Sequence, residues 1–180
     1  MEYKYLIAFT VPEPKNLELR RFIEMIAIGA SIPAPKLSPY VTFHKPLVGI
    51  SEEKIVNLVR SAVLNIRSTR LVLGSPFAFG KKYIVLPVHA TLILTKCWVR
   101  LDDLFSALRG YQHGEFDGDN TLHLTIAETN ASSFDIAWGI ATNKNAYHPM
   151  EISVTKLDLY RKPLEGGIWE LVEEFDLPKN

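Results

Sequence analysis

The sequence predicts an α+β protein with an internal duplication, and three observations lead to that prediction. Short amphipathic helices alternate with apolar, β-branched strands along the 180 residues. The order strand, helix, strand, helix, strand occurs twice, with one strand added at the end. Hydrophobic residues make up 47% of the chain, enough to bury a core without metal or disulfide support. We therefore expect a single bilobal domain over residues 1–180, with lobes near 1–80 and 81–180 and a groove between them.

The predicted elements follow one another without a linker or a low-complexity segment. Tyr3 to Val11 is apolar and aromatic and predicts the first strand, and Asn16 is the predicted cap of the helix that follows it. The later predicted elements are, in order, a helix ending near Ala30, a strand through Tyr40, a helix from Ser51 to about Ile66, strands from Thr69 to Phe79 and from Lys82 to His89, a helix from about Trp98 to Leu108, a strand through His123, a helix from Ser132 to about Asn143, and strands from Met150 to Arg161 and from Ile168 to Leu177.

Composition and charge restrict the class of partner. With 20 basic and 20 acidic residues, the chain has no global positive field that would hold long nucleic acid. A small substrate, or one recognised at its end, is favoured. The single cysteine, Cys97, excludes an intramolecular disulfide and a cysteine-built zinc site. The chain has no signal-peptide pattern and no run of transmembrane length, so we expect a cytoplasmic monomer that does not enter a membrane.

The predicted strand Leu122-His123-Leu124-Thr125-Ile126 carries the clearest chemical pattern. Side chains alternate across a strand, so His123 and Thr125 point the same way. An imidazole that exchanges a proton near neutral pH then lies beside a hydroxyl that donates to an anion. A His-x-Thr pair also arises by chance around a structural histidine. However, Pro39-Tyr40-Val41-Thr42-Phe43 aligns with this strand without a gap, 83 residues earlier, and the second copy favours the chemical interpretation.

These two segments resemble the paired motifs of the two-histidine (2H) phosphoesterase superfamily, which includes the 2'-5' RNA ligase-like proteins and the cyclic nucleotide phosphodiesterases. In that family one strand of each lobe carries His-x-Thr or His-x-Ser, and both histidines face a central groove. The resemblance implies two pseudo-symmetric antiparallel-sheet lobes with helices outside. The chain departs from the family pattern at the first histidine, where Tyr40 stands.

The function implied by this resemblance is a metal-independent phosphoesterase or RNA end-processing protein acting on a 2',3'-cyclic phosphate or a 2'-5' linkage. The expected partner is a nucleotide or an RNA end that carries a phosphate, and no cofactor or metal is expected. Such a reaction needs a base, an acid and donors to the phosphoryl oxygens. The candidate catalytic residues are His123, Thr125, Thr42 and Tyr40. Because a phenol with a pKa of about 10 keeps its proton at neutral pH, His123 is the expected base and Tyr40 the expected acid.

His44 is a candidate replacement for the missing histidine. By the period of two, Tyr40, Thr42 and His44 are expected on one strand face, with His44 about 7 Å along the strand beyond Thr42. At that distance it would reach the phosphate through water, or lie at the rim of the groove. We therefore include His44 among the candidate substrate-binding residues.

Cations and aromatic residues supply the remaining candidates. Lys45, next to His44, and Arg161 with Lys162 are candidate anchors for distal phosphates. Base stacking needs exposed aromatic faces, and a histidine beside the second motif would border the groove. The candidates for these roles are Tyr111, Phe116 and Trp169 for stacking and His113 for the border.

Two functions stay open at this point. An active enzyme would use Tyr40 in place of the histidine, whereas a degenerate relative would keep Thr42, His123 and Thr125 as a phosphate cradle and have lost turnover. Both require that the Tyr40 hydroxyl and His123 face one common groove, which is a geometric test.

Overall fold

The structure is a computed structural model that describes residues 2–35, 37–89, 91–108, 112–113 and 122–179. In these ranges the chain forms β1 (Tyr3–Thr10), α1 (Lys15–Gly29), β2 (Tyr40–Val48), α2 (Glu52–Val63), β3 (Thr69–Leu73), β4 (Phe77–Phe79), β5 (Tyr83–His89), α3 (Leu92–Ser106), β6 (Gln112–His113), β7 (His123–Glu128), α4 (Phe134–Ala141), β8 (Met150–Val154), β9 (Lys156–Pro163) and β10 (Glu170–Asp176). No helix in these ranges has both the length and the apolar character needed to cross a membrane.

The strands form one antiparallel sheet in the order β10-β9-β1-β2-β7-β5-β3-β8, with β4 beside β5 and β6 beside β2. The two strands that carry the motifs, β2 and β7, are neighbours at the centre. The two sequence repeats exchange strands, because β3 pairs with β5 of the second repeat and β9 pairs with β1 of the first. The predicted α+β class and antiparallel architecture are confirmed, and each side of the sheet contains strands from both halves of the chain.

The sheet is curled, and β8 and β9 show why. The sequence predicts one strand from Met150 to Arg161, but the structure divides this segment at Thr155. β8 pairs with β3 at one margin of the sheet, while β9 pairs with β1 and β10 near the other margin. Because only Thr155 separates β8 from β9, the two margins must lie close together.

The two faces of the sheet have different environments. Alternate residues of β1 and β2, such as Ile7, Phe9 and Phe43, belong to one buried cluster with the apolar faces of all four helices. The rings of Phe9 and Phe43 lie 4.9 Å apart, centre to centre. We call this side the helix face. The residues between them on each strand point to the opposite side, which we call the open face.

Two helix starts differ from the predictions. α3 begins at Leu92, before the predicted Trp98, because Thr91 caps it and its hydroxyl oxygen accepts from the Leu94 N–H at 3.4 Å. Asn16 is not a cap. It is buried in the first turn of α1, and its amide donates to the Val11 carbonyl at 2.8 Å, which fixes the helix against the end of β1.

Candidate functional site

The two motif strands bring their candidate residues together on the open face. In the antiparallel pairing of β2 with β7, Thr42 lies directly opposite His123. Opposed residues of antiparallel strands share a face, and alternation along each strand places Tyr40 and Thr125 on that face as well. All four side chains are half-buried, whereas the residues between them are buried towards the helices. We call these four residues the motif group.

The His123 side of the motif group has an aromatic neighbour. The ring of Phe79 meets the imidazole edge-on, with 5.5 Å between ring centres and 78° between ring planes. Phe77 packs against Phe79 at 5.5 Å and is 53% exposed. On β5, Pro87 lies opposite His123. The second motif therefore has an apolar border that restricts the orientation of the imidazole ring.

The Tyr40 side has a polar neighbourhood instead. Thr10 lies opposite Tyr40 across β1 and β2. The Thr10 hydroxyl donates a hydrogen bond to the Asp158 carboxylate, and its oxygen lies 2.7 Å from the Tyr160 hydroxyl. Because the Thr10 proton is directed to Asp158, the Tyr160 hydroxyl donates to the Thr10 oxygen. We call Thr10, Asp158 and Tyr160 the polar triad.

Burial determines how these groups hold their protons. Burial raises the pKa of Tyr40, and the nearby Tyr160 raises it further. Asp158 is 3% exposed, and burial raises the pKa of its carboxyl against the opposing effect of the Thr10 hydrogen bond. Since its ordinary pKa is already about 10, Tyr40 remains protonated through neutral pH. It can donate a proton or a hydrogen bond, but it cannot act as a base there.

The prediction that His44 shares the face of Tyr40 and Thr42 is wrong, and the cause is a β-bulge. The pairing of β1 with β2 passes from Ala8–Thr42 to Ile7–His44, so Phe43 is an extra residue on β2. An extra residue reverses the alternation of side chains beyond it. His44 therefore points to the helix face, where Ile7 also points.

The surroundings of His44 are those of a core residue. It is 1% exposed, and its Nε2 lies 3.3 Å from Oδ1 of Asp102 on α3. Its ring packs against Phe105 with 5.1 Å between ring centres. A substrate on the open face cannot reach this side chain, so His44 does not replace the histidine missing at position 40.

The structure does not bring Arg161 to the motif group either. Arg161 lies opposite Tyr5 and so points to the helix face. Its guanidinium contacts Glu52 of α2 at 3.1 Å and Glu170 of β10 at 3.4 Å. The guanidinium that was expected to bind a distal phosphate thus forms ion pairs with two carboxylates of the protein itself.

Several other candidates lie outside the described part of the molecule. The backbone of Lys45 belongs to β2 and that of His113 pairs with Leu47, but their side chains are outside the described residues. Tyr111 and Phe116 also lie outside the described ranges. Their predicted roles stay predictions.

Sequence reasoning missed the polar triad and Phe79. One signal was available, because Asp158 is a charged residue between two leucines in a predicted strand, a pattern that indicates a buried carboxyl. Nothing local indicates that β9 lies beside β1, so the closeness of Asp158 and Tyr160 to Tyr40 had no sequence signal. The same holds for Phe79 and His123.

Solved structures share this architecture over nearly their whole length. TT0787 of Thermus thermophilus matches with a TM-score of 0.71 and 16% identity, covering 98% of each chain. E. coli LigT complexed with 3'-AMP matches with a TM-score of 0.60 and 14% identity, covering 99% of each chain. This chain has the LigT-like 2H phosphoesterase fold.

The 2H phosphoesterase fold predicted from the two motifs is thereby confirmed. Kluyveromyces marxianus Usb1 also matches, with a TM-score of 0.50 and 10% identity over 94% of this chain and 96% of its own. At these identities the likeness is one of fold. LigT has also been solved with phosphate, with ATP and with NADP+. No family model matches the sequence, and no curated protein is significantly similar to it in sequence.

Proposed function

We propose that this protein is a metal-independent phosphoesterase that acts on a 2',3'-cyclic phosphate or a 2'-5' linkage in a nucleotide or at an RNA end. One observation carries the proposal, namely the opposition of Thr42 and His123 across β2 and β7 with Tyr40 and Thr125 on the same face. It brings an imidazole, a phenol and two hydroxyls together on the open face, opposite to the side where the described helices pack.

The proposed reaction is the hydrolysis of a cyclic phosphodiester, in which His123 is the base. It takes a proton from water as the water oxygen bonds to phosphorus. The bond from phosphorus to one ribose oxygen breaks, and Tyr40 gives that oxygen its proton. Thr42 and Thr125 donate hydrogen bonds to the non-bridging oxygens, where negative charge grows. With the hydroxyl of a second RNA end in place of water, the same groups would join the two ends: His123 takes the hydroxyl proton as that oxygen bonds to phosphorus, and Tyr40 protonates the ribose oxygen that leaves.

The role of Tyr40 follows from its protonation. Because burial and Tyr160 raise its pKa, the phenol is in its acidic form at neutral pH. A general acid is most efficient when its pKa lies near the working pH, so a phenol gives a slower reaction than an imidazolium in the same place. We therefore expect turnover that is slow but dependent on Tyr40.

A second candidate function is phosphate binding without turnover. The raised pKa of Tyr40 favours it, because a phenol that keeps its proton donates a hydrogen bond to a phosphate oxygen and is a poor proton donor in a reaction near neutral pH. His123, Thr42 and Thr125 supply the remaining donors. The complexes of LigT with 3'-AMP and with phosphate support a nucleotide phosphate as the ligand class for either function.

The test is turnover of a 2',3'-cyclic mononucleotide in the presence of a chelator. The wild-type protein is compared with His123→Ala, with Tyr40→His and with His148→Ala, a control at an exposed histidine. Turnover that His123→Ala abolishes and His148→Ala retains supports the enzyme.

The binding function has its own signature in the same experiment. The wild-type protein would then show no turnover, Tyr40→His would create it, and the wild-type protein would still bind a nucleoside 3'-phosphate in a His123-dependent way. Absence of both turnover and nucleotide binding in the wild-type protein and in Tyr40→His would contradict both functions.

A further inference from the structure

The open face continues beyond the motif group to the hairpin of β9 and β10. On adjacent strands, Lys4 of β1 lies opposite Lys162 of β9. Both alternate with residues of the helix face, so they share the open face with Tyr160 and Asp158. The Lys4 ammonium lies 5.9 Å from the ring centre of Trp169, which directly precedes β10. We call Lys4, Lys162 and Trp169 the hairpin patch.

The cations of this hairpin differ between the two faces. Arg161 on the helix face is engaged with Glu52 and Glu170. Among the described residues, Lys4 and Lys162 take part in no ion pair. Their positive charge is therefore directed to the same side of the sheet as the motif group, although the whole chain is neutral.

The patch also offers surface for a flat apolar group. Trp169 is half-buried, and beside it Leu171 and Ile168 are 52% and 58% exposed. Leu171 lies opposite Tyr160, so it faces the open side as well. An aromatic ring next to cations is the combination that binds single-stranded nucleic acid, because bases stack on the ring while phosphates meet the cations.

The distance to the motif group determines which ligand can use both sites. Thr42 lies opposite Ala8, and Lys4 is four residues further along β1. With about 3.4 Å per residue and about 4.8 Å between strands, the two sites are about 14 Å apart. One nucleotide whose phosphate lies at Thr42 and His123 does not span this distance, whereas the neighbouring nucleotides of a single strand do.

We propose that the hairpin patch binds the single-stranded RNA that adjoins the nucleotide held at the motif group, with a base on Trp169 and backbone phosphates on Lys4 and Lys162. This proposal rests on the proposed function. It specifies the substrate class as the end of an RNA strand rather than a free mononucleotide.

The test compares the affinity of a 3'-phosphorylated hexauridylate with that of uridine 3'-phosphate, at several salt concentrations. We expect Trp169→Leu to lower the ratio of these affinities about 5- to 150-fold, the range for loss of one stacked base, and Trp169→Phe to restore most of it. Lys4→Ala and Lys162→Ala should each reduce the slope of log affinity against log salt by about 0.7. Lys54→Ala, an exposed lysine on α2, is the matched control and should change neither quantity.

The results separate this proposal from the proposed function. If the hexauridylate binds no more tightly than uridine 3'-phosphate, or if the variants at the hairpin patch bind it as the wild-type protein does, the hairpin patch is not an RNA site, even when a cyclic mononucleotide is turned over. If turnover is absent but hexauridylate binding depends on Trp169 and the two lysines, the phosphoesterase proposal fails, whereas binding of single-stranded RNA at the hairpin patch is supported. Thermal unfolding of each variant confirms that it is folded.

Discussion

The two motif strands lie in equivalent central positions but have different neighbours. On β7, His123 has an aromatic ring at its edge and a proline opposite it. On β2, Tyr40 lies opposite Thr10, which is hydrogen-bonded to Asp158 and Tyr160. The imidazole thus has an apolar border, and a phenol whose pKa is raised lies beside hydroxyl and carboxyl groups. The duplicated backbone provides two similar positions, and the neighbouring strands make them chemically unequal.

The strand exchange explains where these neighbours come from. Phe79, which borders the second motif, belongs to the first half of the chain, and Asp158 and Tyr160, near the first motif, belong to the second half. Each motif is therefore completed by residues of the other repeat. We expect neither half alone to form a complete motif group.

The largest expected effect is the removal of either proton-transfer group. His123→Ala and Tyr40→Phe should each lower kcat on a 2',3'-cyclic mononucleotide about 10²- to 10⁴-fold, the usual contribution of a general acid or base. Tyr40→Phe keeps the ring and removes only the hydroxyl, so it separates the contribution of proton transfer to kcat from that of ring packing. Full activity in Tyr40→Phe would show that Tyr40 is not the acid.

The pH dependence of kcat should distinguish a phenol from an imidazolium at position 40. In the wild-type protein the rate should rise as the His123 imidazole becomes neutral and then stay constant to about pH 10, because the pKa of Tyr40 is raised above that value. Tyr40→His should give a faster enzyme with a bell-shaped profile that falls above neutral pH. A wild-type profile that already falls near neutral pH would mean that another group supplies the proton.

The polar triad can be tested through stability. Because burial raises the pKa of Asp158, the folded protein binds this proton more tightly than the unfolded chain does. The contribution of Asp158 to the free energy of unfolding is therefore fully present below about pH 3.9 and is lost as the pH rises through the raised pKa. Asp158→Asn keeps an acceptor for Thr10 and has no such dependence. The difference in the free energy of unfolding between the two proteins, measured with urea from pH 3.5 to 7, should shift in favour of Asp158→Asn as the pH rises. A difference in the free energy of unfolding that stays constant with pH would contradict the raised pKa of Asp158.

His44 provides the contrast with His123. His44→Gln should lower the free energy of unfolding by about 1–3 kcal/mol, since the variant disturbs a buried polar group and its contact with Asp102. It should leave kcat close to that of the wild-type protein. Asp102→Asn, which retains the shape of the partner, is the matched variant. A loss of kcat in His44→Gln without a loss of stability would show that His44 contributes to the reaction.

The outcome for these two histidines shows what local patterns can and cannot predict. Strand periodicity correctly places His123 among buried neighbours in an antiparallel sheet, and the duplication correctly indicates a partner strand with Thr42. The same periodicity fails for His44, because one extra residue at Phe43 reverses the alternation. A bulge depends on how two strands pair, and the sequence from Tyr40 to Pro46 contains no local pattern that predicts it. The positions of Arg161 and Asp158 likewise depend on the pairing of β9 with β1, which periodicity does not specify.

The smallest expected effect concerns the aromatic border of His123. Phe79→Leu keeps an apolar side chain but removes the edge-on ring contact, for which about 0.5–1.5 kcal/mol is typical. Because the ring restricts the imidazole without exchanging protons, its loss should lower kcat/KM on the cyclic mononucleotide only about 2- to 10-fold. The pH dependence should keep its shape, since neither the base nor the acid has changed. A change in that shape would mean that Phe79 affects the protonation of His123 as well as its orientation. The apolar border would then influence the pKa of its neighbouring motif residue, as Tyr160 of the polar triad does for Tyr40.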